Sequence, residues 1–92
     1  MLGMANRYTQ IPLANLPLGK EGKIIDINAG RGLERRLISM GIGPGKKVKR
    51  LMSISRSPIL IGIDMMRIAM GYGIANKIIV EYDEEKRENG NF

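Results

Sequence analysis

The sequence predicts a mainly β protein: a small, partly open barrel of about five short antiparallel strands with one or two short helices. The 92 residues include one Phe, three Tyr and no Trp, so Ile, Leu, Val and Met must supply the core. Ile and Val favour strands. Twelve glycines and four prolines separate the short apolar segments. The turns between the later segments are short, and short turns join antiparallel neighbours.

The chain begins with elements that resist helix formation. Residues 1–10 are mostly polar and predict a flexible leader. Pro12 and Pro17 disfavour a regular helix and restrict the residues before them to extended conformations. The first strand is predicted at residues 23–28, where alternation places Ile24 on the face opposite Ile27.

A short helix follows at residues 33–40. Leu33, Leu37 and Met40 recur at i, i+4 and i+7, which is one face of a helix. Gly41 follows the last apolar residue and is suited to a left-handed C-terminal cap. A helix this short is unstable alone, so its Leu and Met face must dock onto the sheet.

Pro44 and Gly45 predict a type II turn after the helix. A second strand is predicted at residues 46–54, with Val48 and Met52 on one face. A third strand is predicted at 59–63, where Gly62 indicates a bend or a close approach of the backbone to a neighbour. Residues 65–70 alternate like a strand, with a helical turn as the alternative, and residues 71–76 predict a turn or a single helical turn. A last strand is predicted at 77–82, followed by a charged, flexible tail at 83–92.

The positive charge is concentrated in one segment. The formal net charge is +6, and residues 31–50 hold seven Lys or Arg side chains against one acid, Glu34. Seven minus one equals the whole excess, so the rest of the chain is balanced. A concentrated positive surface attracts an anionic partner, which can be nucleic acid, an anionic membrane or an acidic protein face.

The composition argues against catalysis and metal binding. The chain contains no His and no Cys, which removes the usual general base, the usual nucleophile pairs and the usual zinc ligands. The glycine-rich run from Gly41 ends in Lys46 and Lys47, where a phosphate-binding loop needs Lys followed by Ser or Thr. We therefore expect no enzyme, no resident cofactor and no metal ligands.

Location is inferred from what the sequence lacks. No apolar run approaches the roughly 20 residues that cross a bilayer, and the first residues lack a signal-peptide core. We expect a cytoplasmic protein that reaches the membrane only through a partner.

One pattern is distinctive enough to suggest a family. Gly30 to Gly45 reads G-x-x-L-x-x-R-L-x-x-M-G-x-x-P-G, preceded by PLANLPLGKEGKIIDIN and followed by MMRIAMGYGIANKIIVEY. This arrangement resembles the FeoA family of ferrous iron transport accessory proteins over residues 11–82. The resemblance implies an SH3-like barrel over that range, between the leader and the tail.

The resemblance also implies a function and partners. It implies a non-enzymatic accessory protein of Fe²⁺ uptake that contacts the cytosolic, GTPase-bearing part of a FeoB-type permease, at the inner face of the membrane. Fe²⁺ is then the transported ion, and a weak homo-oligomer remains open. The motif positions with expected structural roles are Leu33, Arg36, Leu37, Met40, Gly41, Pro44, Gly45 and Arg67. Arg36 is expected to cover apolar surface with its stem and to bond loop carbonyls. The role of Arg67 stays open.

Four basic residues are not explained by the motif and are predicted to contact the partner: Arg31, Arg35, Lys47 and Lys49. Two alternatives remain open. A basic barrel can bind nucleic acid, but the tyrosines lie outside residues 31–56, so no nucleic acid is expected. The SH3-like fold implied by the resemblance also occurs as the C-terminal domain of iron-dependent repressors, so an iron-responsive domain is the second alternative. Without His or Cys, such a domain would have to bind Fe²⁺ through carboxylates alone.

Overall fold

Six strands and two short helices form the part of the chain that the computed structural model describes, residues 7–52 and 57–85. In chain order the elements are β1 (Tyr8–Pro12), β2 (Glu21–Ile27), α1 (Arg31–Ser39), β3 (Lys47–Leu51), β4 (Ile59–Ile63), β5 (Met66–Met70), α2 (Tyr72–Ala75) and β6 (Ile78–Asp83). One 3-10 turn, Leu13–Asn15, links β1 to β2.

All the strands pair antiparallel in one sheet with the order β1-β6-β2-β3-β4-β5. The two edge strands, β1 and β5, do not pair with each other, so the curved sheet stays partly open. The predicted mainly β, partly open architecture is confirmed. Within the segment at 65–70, Met65 lies in a turn and residues 66–70 form strand β5, not the alternative helical turn. The segment at 71–76, left open as a turn or a single helical turn, contains the helical turn α2.

The sequence missed β1. Residues 8–10 were expected to belong to a flexible leader, but they pair with β6, for example Thr9 with Tyr82. The segment carries little apolar signal because an edge strand has one neighbour and an exposed side. Pro12 ends the strand, where its missing N–H is tolerated.

A bulge in β2 corrects the predicted faces of that strand. Ile24 pairs with Val80 while Asp26 pairs with Ile79, so the register shifts by one residue between them. As a result Ile24 and Ile27 are both buried, although strict alternation placed them on opposite faces.

The core lies between the inner face of the sheet and the segments that cross it. Isoleucine dominates it, and within the described residues no polar or charged residue is buried. The largest fully buried side chains are Leu13, Leu16, Ile24, Ile42, Val48, Ile59, Ile61, Ile63, Ile78 and Val80. The expectation that Met52 shares this face with Val48 is wrong, because β3 ends at Leu51 and the Met52 side chain is 79% exposed.

The predicted tail begins later than residue 83. Asp83 is the last residue of β6, and Glu84 and Glu85 form a turn beside β1. The remainder of the predicted tail lies outside the described residues, as does most of the leader. None of the helices in the described part is long and apolar enough to cross a membrane.

Candidate functional site

Helix α1 and the turn after it set the geometry of the site. Gly30 precedes the helix in an extended conformation, and Gly41 follows it with φ 88°, the left-handed conformation of a C-terminal cap. The N–H of Ile42 donates to the carbonyl of Leu37 at 2.9 Å, which folds the chain back against the helix. Leu37 is buried, and Leu33 packs against the core.

The turn between α1 and β3 is tied to strand β2. The N–H of Lys46 donates to the carbonyl of Gly43 at 3.2 Å, and Gly45 has φ 94°, the geometry of a type II turn with Pro44 at its second position. The Gly45 N–H donates to the Ile24 carbonyl at 2.7 Å, and the Ile24 N–H donates to the Lys46 carbonyl at 2.8 Å. The motif residues therefore hold α1 at a defined place beside the barrel.

An apolar groove of about 250 Å³ lies between α1, β5 and α2. Its lining is mostly aliphatic: Leu33, Arg36, Leu37, Met40, Ile42, Ile68, Ala69, Met70, Gly71 and Ile74. The expectation that Met40 docks the helix needs correction, because its side chain is 49% exposed at the groove. The apolar residues of α1 therefore have two environments. Leu37 belongs to the core, and Met40 lines an open groove.

The arginine that bonds loop carbonyls is Arg50, not Arg36. Arg36 is exposed and lines the groove, and within the described residues its guanidinium makes no hydrogen bond. Arg50 points inward from β3 and donates from Nη1 to the carbonyls of Ala14 at 3.2 Å and Leu16 at 3.0 Å. It thereby fastens the 3-10 turn to the sheet.

The four predicted partner residues lie in two separate places. Arg31 and Arg35 lie one turn apart on the exposed side of α1. Lys47 and Lys49 are two residues apart in β3 and share the outer face of the sheet. Across residues 7–52 and 57–85 none of the four side chains makes a hydrogen bond or a salt bridge. The groove contains none of them.

The outer face of the sheet extends the β3 lysines toward β5. Gly62 pairs with Lys49 on one side and with Arg67 on the other. A Cβ at Gly62 would lie 3.3 Å from the Leu51 side chain, so a glycine suits this position. As a result no side chain stands between the two cations. Arg67 is exposed and belongs to this outer row.

Sequence reasoning missed a polar depression of about 360 Å³ on the outer face. Tyr8 and Tyr82 line it beside two lysines, Lys23 and Lys47, because the β1-β6-β2-β3 order brings distant segments together. Three carboxylates, those of Glu21, Glu81 and Asp83, also line it. Two lysines against three carboxylates leave no positive excess, so the depression does not suit a nucleic acid backbone.

Beside this depression Arg7 joins β1 to β6. Its Nη2 lies 2.9 Å from Oδ2 of Asp83, and its guanidinium lies 5.7 Å from the centre of the Tyr8 ring. A side-chain hydrogen bond with Tyr8, and then the charge of Asp83, raise the pKa of the Arg7 guanidinium above its usual value. Thr9 also donates to Glu84. These contacts hold the first strand and belong to the fold.

The carboxylates of Asp and Glu are the metal-ligating side chains that this sequence offers, because it contains no His and no Cys. In the described ranges no group of three or more Asp or Glu residues is placed to hold a metal ion. The groove is aliphatic and the outer face is charged, and neither brings a nucleophile to a base. The fold defines a small, partly open β-barrel with an aliphatic groove between α1, β5 and α2.

Comparison with known proteins gives the family. The FeoA domain model matches residues 11–82. A protein of Methanocaldococcus jannaschii named as an Fe(2+) transport protein A is 41% identical over 78 residues, which is 85% of this chain and 94% of that protein. The chain belongs to the FeoA family.

Solved structures agree with the fold. The crystal structure of an iron uptake regulatory protein, FeoA, is 32% identical and has a TM-score of 0.70, covering 78% of this chain and 95% of that one. The zinc-complexed FeoA of Stenotrophomonas maltophilia, described as an SH3 domain protein, is 21% identical with a TM-score of 0.66, over 78% of this chain and 95% of its own. The barrel is therefore SH3-like, as the resemblance implied.

The same fold occurs inside a larger regulator. A manganese-dependent transcriptional repressor is 23% identical with a TM-score of 0.70, and the match covers 79% of this chain and 41% of that one. At this identity the likeness shows a shared fold alone.

Proposed function

We propose that this protein is a non-enzymatic accessory module of ferrous iron uptake, and that it docks on the cytosolic, GTPase-bearing part of a FeoB-type permease. Membership of the FeoA family carries this proposal. The M. jannaschii relative is named for Fe(2+) transport, and it aligns over almost its whole length. The aliphatic groove and charged surfaces support a role in protein contacts.

The four cations without described partners are the proposed contact residues. Arg31 and Arg35 extend from α1, and Lys47 and Lys49 extend from β3. The folded core does not use these side chains, whereas Arg50 is fastened to two carbonyls. Exposed cations of this kind steer association with an acidic surface and make binding salt-sensitive.

Charge reversal of each pair tests the proposal. The full chain and its Arg35→Glu and Lys49→Glu variants would be co-purified with the detergent-solubilised permease at low salt. We expect at least one reversal to lower recovery by about tenfold, because an acidic partner then meets a like charge. Since the two residues lie in different places, the variant that loses binding identifies the docking surface.

Lys77→Glu is the matched control. Lys77 is also exposed and basic, but it lies between α2 and β6, outside both pairs. Its recovery should equal that of the unmodified chain, and thermal unfolding should show that all three variants are folded. Undiminished recovery of both Arg35→Glu and Lys49→Glu would remove these residues from the contact, and no recovery of the unmodified chain would contradict the docking itself.

A further inference from the structure

An exposed apolar patch lies at the end of the barrel where α1 ends and β5 begins. We name it the methionine tip and define it as Ile38, Met40, Met65 and Met66. Met65 is 99% exposed in the two-residue turn between β4 and β5, so it touches almost nothing in its own molecule. The other three side chains are roughly half exposed. Large apolar side chains left in water at one place mark a contact surface.

The methionine tip is continuous across two elements. A Cβ at Gly41 would lie 3.8 Å from the Met66 methyl carbon, and a Cβ at Gly43 would lie 3.3 Å from Cγ1 of Ile38. The glycine turn after α1 therefore lies between the helix residues and the hairpin residues, and it lets them approach. The patch combines the end of a helix with the end of a hairpin, and through Met40 it borders the apolar groove.

Cations surround this end of the barrel. Lys46 bonds Asp64 at 3.0 Å beside the turn that carries Met65. Lys47 follows in the chain, and Arg67 follows Met66, both exposed and without a described partner. Asp64 offsets the charge of Lys46, and Lys47 also borders the polar depression with its three carboxylates. Lys47 and Arg67 are nevertheless exposed and make no salt bridge with the described residues, so they supply the positive charge of this end.

We propose that the methionine tip inserts into the headgroup region of an anionic lipid bilayer, with Lys47 and Arg67 beside lipid phosphates. Exposed apolar side chains with flanking cations are the combination that binds such interfaces. Unbranched methionines adapt to a fluid, irregular surface. Long lysine and arginine stems let the charges reach the headgroups while the apolar part is immersed.

This contact is separate from docking on a permease, and it departs from the expectation that the protein reaches the membrane only through a partner. It needs no protein partner, and it requires insertion at the interface rather than a spanning segment. Two free cations and one fully exposed methionine give weak binding, which depends on anionic lipid and decreases as salt rises. Such an interaction would concentrate the protein at a membrane surface and orient α1 toward it.

Vesicle flotation with the purified full chain tests the proposal without any permease. Vesicles of phosphatidylcholine alone would be compared with vesicles containing about a third phosphatidylglycerol, at low and high salt. We expect flotation only with the anionic vesicles at low salt. Met65→Ser should lower the apparent affinity about fivefold or more, because the residue that enters the interface is lost. Lys47→Ala should lower it about fivefold, the effect of one cation near an anionic surface.

Met52→Ser and Lys77→Ala are the matched controls. Met52 is also a strongly exposed methionine, but it lies at the opposite end of β3. Both controls should float as the unmodified chain does. The proposal is overturned if the unmodified chain does not bind anionic vesicles at low salt, or if Met52→Ser reduces binding as much as Met65→Ser does. A loss of permease recovery in Met65→Ser without vesicle binding would make the tip a protein contact and would also overturn it.

Discussion

The two ends of strand β3 use their cations in opposite ways. At the end near Leu51, which we call the anchored end, the Arg50 guanidinium points inward and donates to two carbonyls of the segment before β2. At the other end, which we call the open end, Lys46 precedes the strand and makes one exposed salt bridge. The side chain of Lys47, the first residue of the strand, makes none with the described residues. These residues belong to the same basic run of the sequence, KKVKR.

Cations that are neighbours in this sequence therefore have different environments in the fold. Arg50 on the inner face donates to backbone carbonyls and holds the 3-10 turn against the sheet. The side chains of Lys47 and Lys49 on the outer face make no salt bridge with the described residues, and for this reason we propose them as contact residues. A planar guanidinium can bond two carbonyls at once, which suits Arg to the inner position. Counting charges along the sequence does not distinguish these functions.

The largest effect is expected from removing packing at the anchored end. Ile61 pairs with Arg50 across the sheet and is completely buried. Ile61→Ala should lower the free energy of unfolding by about 2–5 kcal/mol, because the core loses apolar contact and gains a cavity. Met66→Ala at the half-exposed open end should cost less than about 1 kcal/mol. Denaturant unfolding measures both, and equal losses would contradict the distinction between the ends.

A smaller loss is expected when the inward arginine is removed. Arg50→Ala leaves the carbonyls of Ala14 and Leu16 without their donor, and should cost about 1–3 kcal/mol. Arg67→Ala removes an exposed arginine from the outer face and should change stability by less than about 0.5 kcal/mol. Thermal or denaturant unfolding of the two variants gives a direct comparison. An Arg50→Ala variant as stable as Arg67→Ala would show that the two carbonyl bonds do not hold the barrel.

The smallest effect is expected at the open end. Both partners of the Lys46–Asp64 salt bridge are about half exposed, so water and salt screen it. Lys46→Ala should cost less than about 1 kcal/mol, and the difference should vanish in molar salt. Measuring unfolding at low and high ionic strength tests this. A loss that persisted in high salt would mean that the Lys46 stem, rather than its charge, stabilises the turn.

Much of the fold was predictable because its signals are local. The β-branched run at 59–63 forms β4 with the same bounds, and Gly41 and Gly45 have the positive φ angles of a cap and a type II turn. Strand β1 was not predictable, because Tyr8–Pro12 lacks apolar alternation and is defined by its pairing with β6. The bulge in β2 was also not predictable. An extra residue in the strand moves the residues after it to the opposite face of the sheet, and no residue type in the sequence marks the place.

The candidate site was less accessible from the sequence. The apolar stripe of Leu33, Leu37 and Met40 was visible in the sequence. The burial of each of these side chains, however, depends on β5 and α2, which border the groove. The approach of Tyr8 to Lys47 requires two intervening strands, β6 and β2. The predicted contact cations stay a prediction, now divided between the α1 surface and the β3 surface.

The sequence by itself determined the class of the protein. Its Ile-rich, aromatic-poor composition, its glycine and proline turns and the pattern from Gly30 to Gly45 led to a small β-barrel of the FeoA family, because backbone preferences are set by neighbouring residues. The partners of each basic side chain, by contrast, could be read only from the tertiary structure. The Arg50 guanidinium donates to carbonyls 34 and 36 residues away, whereas the Lys47 side chain has no hydrogen-bond partner in the part of the chain that the structure describes. A side chain's partners are set by strand pairing across the whole chain, and no short stretch of sequence contains them.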